Sequence, residues 1–171
     1  IVKHLPVKRQ TYGEAVQIVL DALSKAYKGK FKNWREGQLG SDRLRQSTKS
    51  VAAWEQIGKA QKDFDILLIP AQFGLRHRGR SVRRACEVME SNEFGLGAFA
   101  VGIMLLLHAD RLKHYDDLWV DCAGDACAPD ADGKCVHAPI FCFIDDRLYF
   151  FCLRVGFAHD CYGSASAFLP Q

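Results

Sequence analysis

Five arginines and one histidine fall within the eleven residues GLRHRGRSVRR, positions 74–84. Arginine carries a planar, always-charged fork that matches phosphate and carboxylate oxygens, so such a density suggests an anionic partner. Arg76, Arg78 and Arg80 alternate, and an extended loop would turn them to one side. Ser81 suits the N-cap of a following helix that holds Arg83 and Arg84, and a helix start favours anions through its free N–H groups and dipole. Upstream, Lys30, Lys32 and Arg35 extend the basic character, joined by Lys25, Lys28, Arg43, Arg45 and Lys49. Phe31, Trp34 and Phe73 are candidates to stack on unpaired bases. The same arginines could instead pair with Asp116, Asp117, Asp121 or Asp125 of their own chain. No helix-turn-helix, zinc-finger or RNA-binding signature accompanies them.

A second dense segment runs from Asp121 to His137. Cys122, Cys127, Cys135 and His137 are ligand types that a structural zinc ion takes. Their C-x4-C-x7-C-x-H spacing lacks the short cysteine hook of familiar zinc sites, and an irregular polar loop is the simpler reading. Asp130, Asp132 and Gly133 hint at an oxygen-ligand cation loop but omit the glutamate of the calcium pattern. No cofactor is therefore expected, with zinc as the alternative.

Other spacings carry less. His108 and His114 are too far apart for a helical zinc hook, and Gly163–Ala167 lacks the last glycine of a nucleophile elbow. Gly95, Gly97 and Gly102 do not make a phosphate-binding pattern. Glu87, Glu90 and Glu93 read as a solvated helix face. His159 and Cys161 put an imidazole beside a thiol, but near neighbours in sequence rarely act as catalytic partners.

Around these candidates the charge is polarised. Through Ala85 there are 18 Lys and Arg against 7 Asp and Glu; from Cys86 onward there are 5 against 13. That asymmetry points either to a nucleic acid or other acidic partner, or to two halves that neutralise each other. Self-association through the opposite charges is a further reading. The 171 residues suit a single domain, 1–171. Phe94–Leu107 is too short for a membrane span and reads as a buried helix, so no membrane partner is expected. The chain opens at Ile1 without an apolar export segment, and its seven cysteines are an odd number; together these suggest reduced thiols and a cytoplasmic setting.

The elements that must position these residues follow from patterning. Thr11 and Glu14 form a capping box before an amphipathic helix carrying Val16, Val19, Leu20 and Leu23 and stopping at Gly29. Residues 29–47 read as a long loop. Ser47 or Ser50 starts a second helix that ends near Lys62. Asp65–Pro70 reads as a buried strand, Ser81–Glu90 as a helix, and the apolar run after Asn92 as the central helix. Leu118–Asp121, Ile140–Ile144 and Arg147–Val155 read as strands, the last two joined by a tight turn at Asp145-Asp146. The expected class is α+β: N-terminal helices and one central apolar helix packed on a small, mainly antiparallel sheet with a C-terminal hairpin. The function that follows is nucleic-acid binding, or an accessory role, through the basic half. The alternatives are a zinc enzyme at residues 121–137 and a charge-driven interaction module.

Overall fold

The structure, a computed structural model, describes residues 11–128 and 135–170. The aspartates and glycine of the proposed cation loop, 130–133, lie outside them, as does the N-terminal decapeptide. The protein is α+β; the described residues form four α-helices, one mixed sheet and a second small sheet.

Helix α1 (Tyr12–Ala26) begins where the capping box places it: Thr11 and Glu14 bond each other's backbone N–H groups. Helix α2 (Thr48–Ala60) starts from Ser47, whose hydroxyl accepts the Ser50 N–H. Ser81 caps α3 (Val82–Val88) in the same way through Arg84 N–H. The central helix, α4 (Ala98–Leu107), begins later than Asn92, because Glu93–Gly95 leaves to form a strand, β4. Its cap comes from a distant residue: Asp125 Oδ2 accepts the Ala98 N–H at 2.7 Å.

Residues 29–47 are not one loop. They contain β1 (Phe31–Asn33), which pairs with β8 (Arg147–Arg154), and β2 (Leu44–Gln46), which pairs with β6 (Asp125–Cys127). Together with β5 (Trp119–Asp121), β7 (His137–Ile144) and β9 (Tyr162–Ser164) they make a seven-stranded sheet. The order along its main path is β1-β8-β7-β5-β9. The β7–β8 turn is as expected, with Asp145 and Asp146 both at positive φ (48° and 59°), as a two-residue type I′ hairpin requires. The small sheet joins β3 (Ala71–Gln72) and β4 to β10 (Ser166–Phe168). Asp65–Pro70 is no strand of either sheet. It alternates, with Leu67 and Ile69 packed on the core while Ile66 and Leu68 are 58% and 79% exposed.

Alternation also gives the large sheet two distinct faces. Val120, Phe141, Phe143, Leu148 and Phe150 point into the main core with α1 and α4. Ala138 and Val155, of opposite parity, pack with Val82 of α3 on the other face. Trp119, Asp121, Ile140, Cys142, Tyr149, Phe151, Tyr162 and Ser164 share that second face by register, as do Lys32 and Trp34 at the β1 edge.

Candidate functional site

The arginines of 74–84 divide by role. Arg76 is architecture: its guanidinium bonds Glu93 Oε2 at 3.2 Å and also pairs with Glu90. Glu93 is buried at the centre of a network tying the small sheet to the 3₁₀ turn Leu75–His77. Ser166 Oγ donates to Glu93 Oε1 at 2.5 Å, and Gln72 Nε2 donates to Ser166 Oγ at 2.7 Å. Arg80 Nη1 lies 3.1 Å from His77 Nδ1. Arginine can only donate, so Nδ1 accepts and Nε2 carries the hydrogen donated to Glu93 Oε1 at 2.8 Å. Burial pushes the Glu93 carboxyl up, but the bonds from Ser166 and His77 outweigh it and leave it below its ordinary range. Arg84 pairs with Glu87. The carboxylates that meet these arginines are thus Glu87 of α3 and Glu90 and Glu93 beyond its end, not the aspartates of 116–125.

Arg78, Arg80 and Arg83 are exposed and have no carboxylate partner among the described residues. Arg78 is held by Nε donating to Asp160 O at 2.8 Å. Arg83 stands beside an open cleft of about 500 Å³ shared with Val136, Arg154, Gly156 and Phe157. Arg154 is exposed at the end of β8, and Phe157 is 52% exposed. Phe157 leans on Tyr162, which stacks on Trp119 with centroids 4.8 Å apart.

At the opposite edge, Lys32 and Trp34 sit on β1 and just beyond it. The Lys32 ammonium lies 5.0 Å from the Trp34 ring, and Trp34 is 59% exposed. Lys30 pairs with Asp146, and Arg35 donates its backbone N–H to Asn33 Oδ1. Four strand spacings, about 19 Å, therefore separate these N-terminal cations from Arg78 beside β9, whereas Arg83 and Arg154 lie at the end of β8, the strand next to β1. The half-buried rings of Tyr149 and Phe151 stand on the face between them. Of the other proposed stacking residues, Phe31 packs on the core, and Phe73 is covered by Arg111 at 5.4 Å.

The metal candidates fare differently. Register places Cys127 beside His137, two residues from Cys135. The Cys127 sulfur, however, is bonded to Cys152, so two of the seven cysteines form a disulfide, contrary to the expectation of reduced thiols throughout. Cys122 is fully buried in the main core, where burial holds its thiol well above the usual range. Among the described residues no three His, Cys, Asp or Glu side chains are arranged to hold a metal ion.

Sequence reasoning missed the most unusual group on the second face. Asp121 is 3% exposed, and burial alone raises its carboxyl to about 7. Opposite it on β9, Ser164 Oγ is buried without a hydrogen-bond partner among the described residues, as is Trp119 Nε1. Asp125 reaches about 7 as well, through burial first, although Tyr12 Oη and Ala98 N donate to it. Only the acid-rich composition of 116–132 pointed in this direction. No family model matches the chain, and neither the curated proteins nor the solved structures contain a significant match.

Proposed function

We propose that the protein binds single-stranded nucleic acid across the second face of its large sheet, as a binding or accessory protein. The observation that carries this reading is the arrangement of cations and rings along that face. Lys32 and exposed Trp34 stand at the β1 edge, half-buried Tyr149 and Phe151 follow along β8, and Arg83 and Phe157 line the cleft at the end of that strand, which Arg154 joins from the register of the opposite face. Rings accept the π-face of any base, while cations follow the phosphates, which is how unpaired strands are held without sequence preference. Paired bases would hide those π-faces, so the reading favours single strands over duplex.

Fluorescence anisotropy with a labelled oligothymidylate and with a duplex of equal length tests this. Binding of the single strand is expected to weaken linearly in log K against log salt, by about 0.7 per phosphate neutralised. Arg83→Ala with Arg154→Ala should make that slope shallower by about 1.4. Trp34→Ala should cost about 1–3 kcal/mol through lost stacking. Undetectable binding at low salt, or a preference for duplex, overturns the reading.

A further inference from the structure

We propose that Cys161 is the nucleophile of a thiol-dependent acyl-transfer site, with His159 as its base and Arg78 as an anchor for a negatively charged acyl donor. The geometry begins with one short contact. Cys161 Sγ lies 2.9 Å from His159 Nδ1, and the Cys161 backbone N–H reaches the same nitrogen at 3.3 Å. An amide nitrogen can only donate, so Nδ1 carries a lone pair, and the thiol proton points at it. That is the arrangement a general base needs before the nucleophile is used.

Three further observations bear on Cys161. It is partly exposed, as is Cys135, whereas Cys122 and Cys142 are buried; Cys86 is exposed but bonds the Ala123 carbonyl. The Arg78 guanidinium, which has no carboxylate partner, favours the ionised form of Cys161. Beside it, the His159 ring packs on Tyr162 at 5.2 Å, and Tyr162 stacks on Trp119. On that same face the fully buried Ser164 hydroxyl and the Trp119 indole N–H have no partner. Buried polar groups left without partners are uncommon, and a polar ligand group is one of the few reasons to keep them. Burial raises the Cys161 thiol, so it rests protonated and acts through His159 instead of as a standing thiolate.

The step balances without any redox partner. As Sγ attacks the carbonyl carbon of an ester, its proton passes to Nδ1 and the carbonyl electron pair moves to oxygen. When that pair returns, the alkoxide leaves and takes the proton from His159. Water then gives a proton to Nδ1 and adds to the thioester, and the departing sulfur recovers the proton. Ester and water become acid and alcohol.

Incubating the folded chain with 4-nitrophenyl acetate and with the anionic mono-4-nitrophenyl succinate tests the site. A burst of nitrophenolate approaching one per chain is expected, with the acyl group found by mass spectrometry on the Cys161 peptide. Cys161→Ser should abolish the burst. His159→Gln should slow it about 100-fold or more. Arg78→Ala should slow acylation by the succinate ester more than by the acetate ester and so remove the preference between them. Exposed Cys86 serves as an internal reference that needs no variant: if Cys161 is acylated no faster than Cys86, or if His159→Gln leaves the rate unchanged, the site is a local turn and the proposal fails. Neither readout involves nucleic acid, so the outcome is separate from the binding reading.

Discussion

Asp121 is the residue whose surroundings offset its burial least. Asp125, just as deeply buried, accepts bonds from Tyr12 and from the start of α4, whereas Asp121 has neither a side-chain hydrogen bond nor a cation among the described residues to oppose desolvation. Its folded-state pKa of about 7 lies above that of an unfolded aspartate, which is about 3.9. Between those values the folded chain binds more protons than the unfolded one, so folding stability falls as pH rises through the window and levels off above it. Asp121→Asn removes the titration and gives up no bond. It is expected to flatten that fall and to raise stability at pH 8 by on the order of 2–4 kcal/mol. Denaturant titrations of both proteins at pH 4, 6 and 8 check this; parallel pH curves would mean that Asp121 ionises normally. Asp125→Asn is not an equivalent test, because an amide N–H₂ would face the donors that the carboxylate now satisfies.

At the scale of elements, the joint between the two sheets rests on backbone contact. A Cβ at Gly124 would fall 2.3 Å from Gly95 O and 2.7 Å from Gly97 N, and Gly124 N–H donates to Leu96 O at 2.9 Å. This approach delivers the next residue, Asp125, to cap α4. Gly124→Ala should therefore cost about 1–3 kcal/mol or more, since backbone cannot yield as a side chain does. Gly58→Ala in α2, where nothing lies within 4 Å, should instead stabilise by about 1 kcal/mol, so the pair of thermal melts separates packing from helix propensity. The helices were legible because their signals are local: Thr11 with Glu14, Ser47 and Ser81 each sit within a turn of the N–H they cap. The β7–β8 hairpin was legible for the same reason. The short strands β1, β2, β3, β4, β6, β9 and β10 were not, because each is defined by a partner far along the chain and is too short to show alternation. The start of α4 was misread because its cap is 27 residues away. The arginine cluster was visible as composition, but whether an arginine is architecture or surface depends on glutamates that only the fold brings to it. His159 and Cys161 were visible, yet whether they meet depends on the turn that bends one onto the other.

For the whole molecule, the basic and acidic halves neither cancel one another nor stand wholly apart. Arg76 and Arg84 are matched by Glu90, Glu93 and Glu87, while Arg78, Arg80 and Arg83 are not. Two of the acidic charges counted in the back half are withheld below neutrality, because Asp121 and Asp125 titrate near 7. The formal net charge of +3 therefore understates the positive field at pH 6. As pH rises from 6 to 8 both aspartates ionise, and Asp121 does so within electrostatic reach of Cys161, the thiol that Arg78 faces. Affinity for an oligothymidylate should fall over this range, and more steeply at low salt, where charges beyond the contact surface are less screened. Asp121→Asn should remove a large part of the fall while leaving the affinity at pH 6 unchanged. Anisotropy titrations at pH 6 and pH 8, each at two ionic strengths, measure this directly. An affinity that is equally pH-dependent in the variant would exclude Asp121 as the source.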